Sequence, residues 1–135
     1  MKKHVILVVD DEVEIRSMFY RYLGKKGYKV HLAGSIGEER KVLEIETPDL
    51  IFLDINLPDG NGIKELRRIM PLINTCKVIM MSAFDDLEER KKAFDSGAMD
   101  FLSKPFSLSR LNQVIESRFS SLTKHKKDNG KNSGN

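Results

Sequence analysis

Several features that mark particular classes of protein are scarce in this 135-residue sequence. Its single cysteine, Cys76, cannot form an internal disulfide bond. The three histidines, His4, His31 and His125, show no spacing typical of metal ligands. Long apolar runs are also missing, because Asp10 ends the run near the amino terminus before it reaches the length of a signal peptide. We therefore expect a cytoplasmic protein with no membrane segment.

An excess of one charge sign is also missing from most of the chain. Lys and Arg number 23 against 20 Asp and Glu, but residues 124–135 contribute four Lys and one Asp. Residues 1–123 are therefore balanced, with 19 basic and 19 acidic side chains. Four lysines without interleaved aromatic residues attract nucleic acid only weakly, so direct nucleic-acid binding is not expected. We predict one domain over 1–123, followed by a flexible basic tail or a truncated linker over 124–135.

What the sequence does contain is an alternation of short apolar runs with amphipathic stretches. This pattern is typical of an α/β fold in which helices cover both faces of a parallel sheet. An amphipathic stretch follows each run, so the chain is predicted to form five pairs of a strand and a helix. The predicted strands are His4–Val9, Tyr28–Ala33, Leu50–Leu53, Lys77–Met81 and Met99–Ser103.

The five amphipathic stretches have apolar residues at helical spacing. The first helix is predicted to end at Gly27, and its apolar stripe is Ile15, Met18, Phe19, Tyr22 and Leu23. The second opens at Ser35 with a capping box, and its apolar stripe is Ile36, Val42, Leu43 and Ile45. The third follows Gly62, and the fourth runs from Asp85 to a cap at Gly97. The last contains Leu108, Leu111, Val114, Ile115 and Phe119.

Polar side chains follow four of the five predicted strands. Asp10 and Asp11 follow the first strand, and Asp54 follows the third. Ser82 follows the fourth strand and Lys104 follows the fifth. Right-handed crossovers make all the parallel strands point the same way, so these residues share the edge where open α/β sheets bind ligands. We expect them to lie close together at that edge.

A cluster of three carboxylates has both a simple and a functional explanation. In the simple one, Asp11 is the N-cap of the first helix with Glu14 completing a capping box, and Lys104 is an ordinary surface lysine. Yet two like charges about 4 Å apart repel by roughly 4 kcal/mol at an effective dielectric constant near 20. A divalent cation among the carboxylates removes that cost. Ligands that are all oxygen favour Mg²⁺, with Mn²⁺ as a substitute, over zinc.

Four motifs together resemble the receiver domain of two-component response regulators. They are the apolar run that ends in Asp10 and Asp11, PDLIFLDINLPDGNG around Asp54, MSA at 81–83 and GAMDFLSKPF at 97–106. The similarity covers about residues 3–122 and keeps the order and spacing of the family's motifs. It implies a flavodoxin-like, CheY-like fold: a doubly wound, five-stranded parallel sheet of order 2-1-3-4-5 with five helices in a three-layer sandwich.

The resemblance also implies a role for each polar residue at the sheet edge. Asp54 would be the phosphoacceptor. Asp10 and Asp11 would hold Mg²⁺, directly or through water, together with Asp54 and the backbone carbonyl of Asn56. The catalytic set would be completed by two residues that grip the phosphoryl oxygens, Ser82 and Lys104.

A conformational switch is implied by the same resemblance. The Ser82 hydroxyl would move toward the phosphoryl group, and Phe101 would rotate inward to fill the space that this movement opens. The surface of the fourth helix, fifth strand and fifth helix would change as a result. A simple core position remains the alternative for Phe101. The Lys104–Pro105 pair implies a cis peptide bond, and Phe84 either shields the phosphoryl group or contacts a partner.

These expectations predict a phosphorylation-activated signalling switch of a two-component phosphorelay. The donor would be a phosphohistidine of a sensor kinase or phosphotransfer protein, and catalysis would be limited to the protein's own phosphotransfer and autodephosphorylation. Its target would be a downstream protein, an output domain beyond this chain, or a second copy in a homodimer formed through the switch surface. The alternative is a Mg²⁺-dependent phosphatase with an aspartyl-phosphate intermediate. Asn56 disfavours that alternative, because it stands where an acid or base two residues after Asp54 is needed.

Overall fold

The computed structural model describes residues 2–120 of the chain. The chain divides into two compact units, Met1–Lys104 and Pro105–Asn135, and each is described by itself. The predicted domain boundary at residue 123 and the predicted tail over 124–135 lie outside the described residues. Within the described residues, no helix is both long enough and apolar enough to cross a lipid bilayer.

A five-stranded parallel sheet forms the centre of the first unit. Its strands are β1 (Val5–Val9), β2 (Lys29–Ala33), β3 (Leu50–Asp54), β4 (Lys77–Ser82) and β5 (Asp100–Ser103). The order across the sheet is β2-β1-β3-β4-β5, and every neighbouring pair is parallel. The predicted strands and their order are therefore confirmed. The order reverses beside β1, so the gap between β1 and β3 is the topological switch point of the sheet.

Four of the five helices belong to the first unit. They are α1 (Val13–Lys25), α2 (Ile36–Ile45), α3 (Gly62–Ile69) and α4 (Leu87–Asp95). A two-residue hairpin pairs Asn56–Leu57 with Gly60–Asn61 before α3, and a short 3-10 helix, Met70–Leu72, follows α3. The second unit contains α5 (Leu108–Phe119), whose buried residues are Leu111, Val114 and Ile115.

Helices lie on both faces of the sheet in the first unit, which gives the three layers that the sequence predicts. Successive strand residues point to opposite faces, so Phe52 of β3 points toward α1, where its ring centroid lies 4.8 Å from that of Phe19. On the opposite face, Leu53 belongs to one apolar cluster with Ile36 of α2 and Leu66 of α3. The fold is therefore flavodoxin-like, as expected.

The predicted apolar stripe of α2 is wrong at one position. Ile45 is 80% exposed, whereas Glu39 is fully buried. Ile36 is buried and sets the orientation of the helix. Ile45 follows nine residues later, and at 100° per residue it lies on the opposite side of the helix. Glu39, one turn after Ile36, therefore faces inward.

Two predicted helix starts also differ from the structure. The fourth helix begins at Leu87 instead of Asp85, because the Asp86 side chain is the N-cap and accepts a hydrogen bond from Glu89 N at 2.7 Å. The alternative that makes Asp11 an N-cap is wrong, because Glu12 occupies the N-cap position of α1 and makes no side-chain cap bond. Asp11 is left exposed at the sheet edge.

Candidate functional site

Three carboxylates meet at the topological switch point, where the sequence predicts them. Asp10 directly follows β1, and Asp54 is the last residue of the neighbouring strand β3. Asp10, Asp11 and Asp54 each offer a carboxylate oxygen, and these three atoms lie within 4.8 Å of one another. Asp10 is fully buried and Asp54 is 5% exposed. The parallel register of β1 and β3 therefore produces a dense acidic cluster.

Lys104 joins this cluster from the end of β5. Its Nζ lies 2.6 Å from Asp10 Oδ2 and 3.0 Å from Asp54 Oδ2, and its side chain is only 10% exposed. Glu12 Oε1 accepts a hydrogen bond from the same ammonium at 3.1 Å. Lys104 is therefore not an ordinary surface lysine. Glu12 was not among the predicted site residues, because only the folded chain brings it to Lys104.

Burial and charge act in opposite directions on these groups. Burial raises the pKa of the Asp54 carboxyl above its usual value, while the Lys104 ammonium partly offsets that rise. For Lys104, burial favours the neutral amine, but the carboxylates of Asp10 and Asp54 outweigh it and raise the pKa of the ammonium above its usual value. Lys104 therefore stays charged at neutral pH.

The cluster has donors that fit a small divalent cation. Asp10 Oδ1 accepts a hydrogen bond from Glu12 N at 2.8 Å. The buried Oδ2 lies 2.6 Å from Lys104 Nζ, and no other donor within residues 2–120 reaches it. When ionised, the three aspartates and Lys104 carry a net charge of −2. A buried carboxylate oxygen that only Lys104 approaches, a donor set made of oxygens alone and two uncompensated charges are the features that suit Mg²⁺.

The backbone around Asp54 is held by Gly62 at the start of α3. Gly62 N donates a hydrogen bond to Ile55 O at 2.6 Å. A Cβ atom at position 62 would lie 2.1 Å from Asp54 O and 2.9 Å from Ile55 Cα, which is closer than any side chain tolerates. Only glycine therefore fits behind Asp54. The sequence contains a signal for this contact in DGNG at 59–62, but the signal does not say which backbone approaches.

Asn56 lies in the short hairpin that follows Asp54. Its backbone N donates a long hydrogen bond to Asp54 Oδ1 at 3.4 Å, and its side chain is exposed. This hydrogen bond places the start of the hairpin beside the acidic cluster. The role of the Asn56 carbonyl as a metal ligand stays a prediction.

The two predicted switch residues are both buried. The Ser82 hydroxyl donates a hydrogen bond to Phe84 O at 3.1 Å and accepts one from Phe84 N at 2.9 Å. Lys104 N donates to Ser82 O at 2.8 Å, which ties the ends of β4 and β5 together. Phe101 is fully buried, so its side chain already points inward, and Phe84 is 67% exposed. The cis peptide bond implied before Pro105 stays a prediction.

The fold and the site together define a class of protein: a doubly wound domain with a buried aspartate, an acidic cluster and a lysine at its switch point. The sequence profile of the response regulator receiver domain matches residues 6–116. The chain therefore belongs to the receiver domain family of two-component response regulators.

Relatives of the chain differ in length. The response regulator protein PilR of Pseudomonas aeruginosa is 34% identical over 115 residues, which are 85% of this chain and 26% of PilR. Sporulation initiation phosphotransferase F of Bacillus subtilis is 28% identical over 116 residues, which are 86% of this chain and 94% of that protein. The chain thus spans about a quarter of PilR and nearly all of the second relative.

Solved structures show the same fold. A CheY-like receiver domain protein from Methanospirillum hungatei superposes with a TM-score of 0.84 at 29% sequence identity. The match covers 92% of this chain and 99% of that protein. At this likeness the fold is that of a receiver domain.

Proposed function

We propose that the protein is a phosphorylation-activated switch in which Asp54 accepts a phosphoryl group from a phosphohistidine of a sensor kinase or phosphotransfer protein. One observation supports this proposal above all. A buried carboxylate, Asp54, lies 3.0 Å from the Lys104 ammonium and within 4.8 Å of two further carboxylates. Such a site combines a nucleophile with positive charge and with donors for a metal ion.

The proposed transfer is a displacement at phosphorus. A carboxylate oxygen of Asp54 forms the new P–O bond while the P–N bond to the donor histidine breaks, and the imidazole leaves with the electron pair. Lys104 is placed to neutralise the charge that develops on the phosphoryl oxygens. Asp10, Asp11, Asp54 and the Asn56 carbonyl would hold Mg²⁺, or Mn²⁺ in its place, and the bound ion would supply further neutralising charge.

The proposed output begins at Ser82. Phosphorylation adds negative charge and strong acceptor oxygens, so the Ser82 hydroxyl is drawn from Phe84 toward the phosphoryl group. Phe101 already points inward, so in this proposal it senses the movement from inside the core. The α4, β5 and α5 elements then present a changed surface to a downstream protein, an output domain or a second copy of the chain.

The relatives include receivers that are part of a longer regulator and receivers that are separate proteins. NtrC of Proteus hauseri is a DNA-binding transcriptional regulator of which this chain covers 27%, so a receiver can be part of a longer regulator. The sporulation phosphotransferase is matched over 94% of its length, so a receiver can also act as a separate protein. In either setting we propose that residues 1–123 form the receiver domain.

The proposal is tested by labelling with a small phosphodonor such as acetyl phosphate in the presence of Mg²⁺. We expect one phosphoryl group per chain by intact-mass spectrometry, and its removal by Asp54→Asn. The matched control is Asp59→Asn, because Asp59 accepts hydrogen bonds from Ile36 N and Gly37 N at the start of α2 and the asparagine oxygen can keep one of them. Full labelling of the Asp54→Asn variant, or no labelling of the unsubstituted protein, would contradict the proposal.

A further inference from the structure

The Ser82 hydroxyl is hydrogen-bonded to the segment that follows β4. Its two hydrogen bonds both go to the backbone of Phe84, two residues further along the chain. To donate to a phosphoryl group on Asp54, the Ser82 hydroxyl must give up the hydrogen bond that it donates to Phe84 O. The free energy of moving the 83–85 segment therefore affects how readily the site accepts a phosphoryl group.

A cluster of three side chains fixes this segment at its far end. Asp85 Oδ1 and Oδ2 accept hydrogen bonds from Arg90 of α4 at 2.5 and 3.3 Å. Ser103 of β5 donates to Asp85 Oδ2 at 2.5 Å and lies 3.3 Å from Arg90. Arg90 and Ser103 lower the pKa of Asp85, so the carboxylate is ionised at neutral pH. Asp85, Arg90 and Ser103 thus connect the loop, α4 and β5.

Arg90 also contacts the second predicted switch residue. Its guanidinium lies 4.8 Å from the centroid of the Phe101 ring, which is a cation–π contact. Ser103 immediately precedes Lys104, whose backbone N donates to Ser82 O. The three-residue cluster therefore contacts Phe101 directly and reaches Ser82 through the backbone.

We propose that Asp85, Arg90 and Ser103 form a latch that holds the 83–85 segment in the conformation in which Ser82 is bonded to Phe84. This inference rests on the proposed function and adds Arg90 to it as a positioning residue. The latch lowers the population of the phosphoryl-binding conformation without touching the phosphoryl group. Since its groups are partly exposed, its opening changes that population by a factor of about two to five.

The test is a beryllofluoride titration in the presence of Mg²⁺, because beryllofluoride stands in for the phosphoryl group on Asp54. We expect Arg90→Gln and Asp85→Asn each to bind it about two- to five-fold more tightly than the unsubstituted protein. The double variant should show little further change, since either substitution opens the same latch. The matched control is Lys91→Gln, which removes a 2.9 Å ion pair to Asp95 on the same helix but does not touch the loop.

Hydrogen exchange of the Phe84 amide provides a second, local readout. Both latch variants should speed exchange at Phe84, and Lys91→Gln should not. Affinity equal to or below that of the unsubstituted protein, with normal thermal unfolding, overturns the latch and leaves the proposed function standing. If Arg90→Gln fails to fold, the same comparison is made with Asp85→Asn. Failure of the folded, unsubstituted protein to bind beryllofluoride overturns the proposed function and the latch with it.

Discussion

At the scale of single residues, Asp54 depends on neighbours that have no reactive group of their own. Gly62 leaves room for the Asp54 carbonyl. The Lys104 ammonium offsets part of the rise in the pKa of Asp54 that burial causes. The reactive side chain is therefore positioned by backbone packing on one side and by an ion pair on the other. Changing the packing should disturb the site as much as changing the charge.

Gly62→Ala tests this dependence. We expect a loss of about 1–3 kcal/mol in the free energy of unfolding, because the new Cβ meets backbone atoms that cannot move aside independently. Labelling of Asp54 should fall as well. Gly24→Ala is the control, since a Cβ there meets nothing within 4 Å and should leave labelling unchanged. Urea unfolding and phosphodonor labelling measure the two effects, and a fully labelled Gly62→Ala protein would contradict this account.

At the scale of secondary-structure elements, α2 and α3 pack through a buried pair of acids. Glu65 of α3 accepts paired hydrogen bonds from Arg40 and Arg68. Glu39 of α2 is fully buried, Arg68 approaches it only to 4.0 Å, and its oxygens accept no hydrogen bond from a donor within residues 2–120. Burial, followed by the proximity of Glu65, raises the pKa of Glu39 to about 8. Glu39 is therefore mostly protonated at neutral pH.

The stability of this packing should decrease as the pH rises. The folded-state pKa of Glu39 lies above its ordinary value, so the folded chain binds the proton more tightly than the unfolded chain does. The stabilisation that proton binding by Glu39 gives the folded chain is complete below the ordinary carboxyl pKa of about 4.3. It is lost as the pH rises through about 8. Urea unfolding at about pH 5 and about pH 9 measures the change.

A neutral replacement provides the control for that pH dependence. Glu39→Gln keeps the size and a hydrogen-bond donor, so it should remove most of the decrease between the two pH values. Glu44→Gln, an exposed position on the same helix, should keep it. If the free energy of unfolding of Glu39→Gln decreases with pH as much as that of the unsubstituted protein, the buried acid is not the source of the effect.

At the scale of the whole molecule, a bound divalent cation should stabilise the fold. An ion that binds only the folded chain raises the free energy of unfolding, by about 2.7 kcal/mol at a concentration one hundred times its dissociation constant. We expect Mg²⁺ to raise the Tm of the unsubstituted protein. Asp11→Ala should abolish this shift and reduce labelling of Asp54 while keeping the fold, because Asp11 is exposed and its removal relieves repulsion.

Glu14→Ala is the matched control for the effect of Mg²⁺. Glu14 is an exposed carboxylate in the first turn of α1 and lies outside the acidic cluster. Its substitution should leave both the Mg²⁺ shift in Tm and the labelling intact. A Tm of Asp11→Ala that still rises with Mg²⁺ as in the unsubstituted protein would contradict the assignment of Asp11 to the metal site.

Much of the architecture can be predicted from local sequence pattern because it depends on periodicity. Buried strands such as β3 are apolar up to the carboxylate at their end, and Gly27 and Gly97 have the positive φ that ends a helix. The acidic edge was also predictable, since parallel strands that point the same way must bring Asp10 and Asp54 to one side. These inferences need only chain direction and the period of each element.

Contacts between residues distant in the chain were not predictable, because no local pattern encodes them. Glu12 meets Lys104 across 92 positions, and Glu39 faces Glu65 only because Ile36 orients α2. The local pattern was enough for the strands, their order and the acidic edge. Only the packing of separate elements determines which oxygen lacks a donor, which acid is protonated and which loop holds Ser82. These properties arise from burial and from proximity across the sheet edge and between helices, which no local pattern encodes.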